Sequence, residues 1–235
     1  MRINNLCLPT ILFVLFGLLI SCEDNLKYSC PSLPEYFKSN ETQALFLETA
    51  FEPEYGQSSD RLKKWNSDIN IFIDGVPTRS RLAEVDTVIK ELNKLSTYIP
   101  INKVNSKAEA NLILYLGSME NYVTAVEPSV ANIALGNSGF AAISWNSSNE
   151  IIRASACVDI VNFTGLLFFK HVLREELAQT LGIVNDTNNN EKSIFYQLPN
   201  FTITYSEADK EIISYLLGDE LKAGMCKHEA LKIID

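Results

Sequence analysis

Hydrophobic positions in this chain fall into three patterns, and each predicts a different kind of element. The first is one almost entirely apolar run over 6–20, behind Arg2. It is short for a membrane span and has the length of a signal-peptide core. The second is a set of short apolar or alternating runs over 69–74, 99–104, 111–116, 140–145 and 150–160. These predict strands, and 111–116 (NLILYL) has the continuous character of a strand covered on both faces. The third is helical spacing. It marks 41–51, then 80–96 through Leu82, Val85, Val88, Ile89 and Leu92, then a run through Leu166, Phe169, Leu173, Leu177 and Leu181. Thr164 is placed to cap that last helix, and Gly182 is placed to stop it.

The order strand, helix, strand, strand predicts an α/β layer on a mixed, mainly parallel sheet. The turn Asn146-Ser147-Ser148-Asn149 joins the last two strands as an antiparallel hairpin. Trp65, in Lys63-Lys64-Trp65, is expected to pack beneath the first strand. Residues 121–137 carry no clear pattern.

The polar residues concentrate on the helix that ends at Gly182. His171, Glu175 and Gln179 are four apart and share a stripe, with Glu176 about 100° around the axis. The bland expectation is that Glu175 and Glu176 pair with Lys170 and Arg174, while Gln179 and Asn185 form an amide network. The chemical one is a metal site. Only two histidines exist, so three histidine ligands are excluded. His171 and Glu175 could chelate at i, i+4, with Asp186 as a third ligand. Gln179 is a weak donor to zinc, and a harder cation such as calcium would accept it better. The spacing Asp186, Asn188, Asn190 imitates a calcium loop but lacks the glycine and the final glutamate, Gln197 standing there instead. Ser193 and Ser206 lie in no nucleophile elbow, and no phosphate-binding glycine loop exists.

Residues 175–185, E-E-L-A-Q-T-L-G-I-V-N, resemble the metzincin zinc helix H-E-x-x-H-x-x-G-x-x-H. Glu175, Gln179 and Asn185 stand at the three ligand positions. Glu176 stands at the general-base position and Gly182 at the turn. Residues 205–218, YSEADKEIISYLLG, resemble the last metzincin helix. The run E-E-x-x-Q-x-x-G-x-x-N-D, within 51–218, is also similar to a family of uncharacterised bacterial lipoproteins that carry a domain of unknown function. The resemblance implies a zincin-like α/β (α+β) fold with an antiparallel edge strand, an active-type helix and a C-terminal helix. It implies that Phe140, Ala141, Ala142, Ile143, Ser144 and Trp145 form an edge strand bordering a cleft and pairing with extended peptide. With the histidines replaced, the expectation is a degenerate module that needs no cofactor and binds a peptide, a cell-wall component or a partner protein. The alternatives are a metallopeptidase with unusual ligands, zinc or calcium, and Glu176 as base, or a purely structural envelope protein.

Composition adds location and partners. The apolar run ends in Leu19-Ile20-Ser21-Cys22, which looks like a bacterial lipobox. The expected layout is a signal peptide over 1–21, a lipid-anchored tether over 22–34 and one domain over 35–235. Acyl chains such as palmitate on Cys22 would hold the protein to a membrane of the cell envelope. A net charge of −9 argues against nucleic acid. Of the remaining cysteines, Cys30 and Cys226 are the first pair to consider for a disulfide, and Cys157 is expected to be a buried core residue.

Overall fold

A computed structural model describes residues 30–33, 39–51, 60–198 and 201–234. The expected signal peptide, Cys22 and most of the expected 22–34 tether lie outside the described residues. Among the described residues, no helix is long and apolar enough to cross a membrane.

The chain opens with α1 (Glu41–Phe51), followed by a two-residue strand β1 (Lys64–Trp65) and β2 (Ile69–Gly75). Helix α2 (Arg79–Leu95) crosses to β3 (Ile101–Lys103), and β4 (Leu112–Gly117) returns beside β2. Thr78 caps α2 by accepting a hydrogen bond from the Arg81 amide. The unpatterned stretch holds the short helices α3 (Met119–Ala125) and α4 (Ala131–Ala134). Then come β5 (Gly139–Trp145), β6 (Glu150–Asp159), α5 (Leu166–Gln179), α6 (Glu207–Leu217) and α7 (Lys227–Ala230).

The fold is a mixed α/β arrangement. Strands run in the order β1-β6-β4-β2-β3, all parallel, and β5 alone pairs antiparallel, against β6. The sheet separates two cores. On one face, α1, α2, α5 and α6 bury the large cluster that includes Phe46, Val88, Leu173, Leu177 and Ile212. On the other, α3 and α4 cover a smaller cluster of Ile113, Tyr122, Phe140 and Cys157. Each large side chain so enclosed contributes about 1.5–3 kcal/mol.

Trp65 is buried at the end of α5 and donates its indole N–H to the Thr180 carbonyl at 2.8 Å. Cys30 and Cys226 form a disulfide, and Cys157 is buried and free. One expectation is corrected at the start of α5. Gly165, not Thr164, occupies the cap position, and no side chain caps the helix there. Ser206 and Asp209 form a reciprocal capping box on α6, so Ser206 is structural. Ser193 donates to Asp209 at 2.6 Å, so it too belongs to the packing.

Candidate functional cleft

Helix α5 presents two unlike faces because its neighbours differ. On one face, Arg174 reaches α2. It donates to both oxygens of Glu91 at 3.0 Å and to Glu84 at 2.8 Å, while Lys170 lies 3.1 Å from Glu84. Burial alone would raise the Glu84 pKa, but the Arg174 and Lys170 hydrogen bonds hold it below the ordinary value. The expected pairing of Glu175 and Glu176 with Lys170 and Arg174 is therefore corrected. Those cations serve α2.

The other face borders a cavity of about 740 Å³. Glu175, Glu176, Gln179 and Asp186 line it from α5 and the loop that follows. Strand β5 lines it from the sheet, through Gly139 to Ile143 and Trp145. Val130 and Ile133 contribute an apolar wall beside α4, and Arg61 and Lys63 lie on the remaining side.

Strand β5 is the sheet's antiparallel edge and, among the described residues, pairs with β6 alone. The Asp159 amide donates to the Ser138 carbonyl at 2.8 Å, which fixes the hydrogen-bonding phase of the ladder. The register is regular from Gly139↔Val158 to Ser144↔Arg153. In an antiparallel pair, bonded and non-bonded residues alternate. Phe140, Ala142 and Ser144 therefore bond to β6, while Gly139, Ala141 and Ile143 turn their N–H and C=O groups to the open edge. The side chains follow the same alternation. Phe140 and Ala142 join the small core, and Ile143 packs toward the α5 side.

Two glycines allow the cleft to close this tightly. A Cβ on Gly139 would collide with Glu176 Oε1 and Val172 Cγ1, so α5 and the start of β5 can approach only without one. Gly182 has φ +115° and rests against the Lys63 carbonyl, a place where a side chain is both strained and blocked. That turn sends the chain toward α1. The Val184 and Asn185 amides both donate to Thr49 O, at 2.7 and 3.1 Å, and the Asn185 side chain faces Glu48 O at 3.4 Å. Asn185 is thus not in the cleft, contrary to its place in the motif. Asp186 takes the position instead and accepts from Gln179 Nε2 at 2.9 Å. Glu48 also holds Thr187, Asn188 and Asn189, so a carboxylate from α1 organises the polar loop that imitates a calcium site.

His171 is buried just outside the cleft. Its Nδ1 donates to Thr202 O at 2.6 Å, and its Nε2 lies 3.5 Å from Glu175. Burial pushes its pKa down by more than the Thr202 bond raises it. The motif positions supply few donors for zinc: Gln179 turns its amide N–H to Asp186 and Asn185 points to α1, while His171 gives its Nδ1 proton to a backbone carbonyl and turns Nε2 toward Glu175. Among the described residues, no three His, Cys, Asp or Glu side chains gather closely enough to hold a metal ion.

Lys63, Arg61 and Gly139 carry no mark in the local sequence. The Lys63 ammonium donates to Arg61 O at 2.7 Å and sits 5.1 Å from the Trp145 ring centroid. Burial draws its pKa down to about 8. Arg61 donates to the Gly224 carbonyl at 2.8 Å.

Residues 39–235 match the model of the family described as a protein of unknown function, DUF2927. The chain belongs to that family. No curated protein matches it. Among solved structures, one titled "Structure of myroilysin" is similar at 13% identity and a TM-score of 0.44, covering 68% of this chain and 97% of that one. Another, titled "Crystal structure of myroilysin", has 12% identity and a TM-score of 0.42, covering 80% and 97%. Likeness this distant transfers no residue's role.

Proposed function

We propose that this DUF2927 protein is a non-catalytic, peptide-binding relative of the metzincin frame, held in the bacterial cell envelope by lipid on Cys22. The observation that carries the reading is the open edge of β5. Three residues, Gly139, Ala141 and Ile143, offer backbone donors and acceptors along a cavity. An extended peptide completes such an edge by adding a strand. The polar floor at Glu175, Glu176, Gln179 and Asp186 then contacts alternate side chains of that peptide.

The hydrolase alternative fares worse on its own chemistry. Glu176 stands where a general base is wanted, but among the described residues the donors around it do not gather into a metal site that would activate water.

The test is saturable binding of seven-residue peptides, the length of β5, to the full-length protein, followed by fluorescence anisotropy. Ala141→Pro removes an outward amide and none of the bonds to β6, and edge strands tolerate proline. The expected result is peptide binding in the wild type and its loss in Ala141→Pro, with the melting transition kept. Absence of binding, or binding indifferent to Ala141→Pro, contradicts the reading.

A further inference from the structure

Lys63 and Lys64 are adjacent in sequence and border different cavities. Lys63 lines the large cleft. Lys64 opens β1, and an extended chain turns successive side chains to opposite sides. It lines a second cavity, of about 110 Å³, at the amino end of β6. That cavity lies between Ser148 and Glu150 on one side and the segment after α6, from Gly218 to Ala223, on the other. Asn66 and Tyr98 complete its wall.

Lys64 is only 3 % exposed. Its ammonium donates to the Trp65 carbonyl at a long 3.4 Å, although such a group can donate three bonds. Lys222 reaches the same cavity and donates its ammonium to the Asp219 carbonyl. Both cations thus rest on backbone oxygens, which carry no formal charge. Burial lowers the Lys64 pKa to about 8, and the Lys222 charge lowers it further than the Asp219 carboxylate restores it. The other carboxylate in the wall, Glu150, accepts from the Asn66 and Asn146 side chains at 2.9 Å each. The Leu217 carbonyl at the end of α6 accepts from the Tyr98 and Ile99 amides. An anion placed beside the two lysines is attracted by both and offsets their mutual repulsion. The small volume suits a single oxyanion, and the Ser148 hydroxyl can add a donor.

We infer that this cavity binds a phosphate group through Lys64 and Lys222, either as the free anion or as the headgroup of an anionic lipid. Position makes the second source available. Gly224 stands against the Ser148 carbonyl, two residues before Cys226, and the disulfide joins Cys226 to Cys30. The cavity is therefore near the point where the chain before Cys30 leaves the domain. An anchor on Cys22 brings that end toward a bilayer, so the lipid source rests on the anchor and the free-phosphate source does not.

Calorimetric titration of inorganic phosphate into the full-length protein at about pH 8.5 tests the site, with sodium chloride at matched ionic strength as the control. Saturable binding is expected, with proton uptake from the buffer, because the bound anion draws Lys64 back to its charged form. Lys64→Met is expected to abolish both. Lys222→Gln, on an exposed side chain, is expected to weaken binding about tenfold, the loss of one charge-assisted bond. The same titration with glycerophosphoglycerol, the headgroup phosphodiester of phosphatidylglycerol, separates the sources. Tighter binding than inorganic phosphate assigns the lipid headgroup, and weaker binding assigns the free anion. No saturable binding to wild type, or binding that Lys222→Gln leaves unchanged, overturns the phosphate site.

Discussion

Arg174 and Glu175 are neighbours in sequence and opposites in the molecule. Arg174 is buried against α2, with every guanidinium nitrogen bonded, two of them to Glu91. Glu175 faces a cavity of about 740 Å³ across from an open strand edge. One helix thus carries a closed polar face and an open one, and the difference lies in what stands opposite. Helix α2 brings carboxylates that match Arg174 donor for donor. Strand β5 brings Gly139 and Ala141, which are small, and an outward-facing backbone at Gly139, Ala141 and Ile143. A charged residue on a buried helix belongs to the packing where an opposing helix supplies matched partners, and lines a cleft where the neighbouring strand stands back.

Disrupting the closed face is expected to have the largest effect. Arg174→Met takes both hydrogen bonds from Glu91 and leaves Glu84 with Lys170 as its partner, and losing charge-assisted bonds of this kind costs about 1.5–3 kcal/mol. The urea midpoint should fall accordingly. A midpoint near wild type would mean that α5 is not held by this network.

Gly139→Ala tests the seam between the faces. The new methyl would collide with Glu176 and Val172, and overpacking of this kind costs about 1–3 kcal/mol. Peptide affinity should drop more than stability does, because the methyl intrudes at the mouth of the cleft. Unchanged binding would move the ligand away from the Gly139 end.

Glu175→Gln is the open-face counterpart of Arg174→Met, one residue along. Stability should stay within about 0.5 kcal/mol of wild type, as for substitutions outside buried networks. Affinity for the seven-residue peptides should change, because Glu175 lines the cavity. The pair of variants, compared in one denaturation and one binding series, separates the two faces.

The smallest effect is electrostatic. Burial lowers the pKa of Lys63 and of Lys64 to about 8, below the 10.5 of the unfolded chain. Between those values the unfolded state binds protons that the folded state has released. Stability therefore rises with pH through that window. A thermal midpoint that climbs from pH 8 to 9.5, and climbs less in Lys63→Met, would bear this out. A midpoint that falls over the same range would contradict it.

Much of this was legible in the chain. The helix over 41–51 appears at those residues because its apolar spacing is local information. The hairpin was readable because Asn146 to Asn149 can only turn. The stripe of Glu175 and Gln179 on one face of α5 followed from helical spacing alone. Asn185 was not legible. Its direction is set by Thr49 and Glu48, far earlier in the chain, which draw the loop to α1 and leave the cleft to Asp186. Lys63 and Arg61 were missed for the same reason. They reach the cleft beside β1, which pairs with the start of β6, and that pairing leaves no local mark.

The most direct measurement is backbone amide hydrogen exchange of the full-length protein, free and saturated with a seven-residue peptide. The amides of Phe140 and Ala142 bond to β6 and should be protected in both states. Those of Ala141 and Ile143 face the open edge, so they should exchange quickly in the free protein and become protected on binding. Peptide binding that leaves Ala141 and Ile143 unchanged would place the ligand elsewhere and contradict the account.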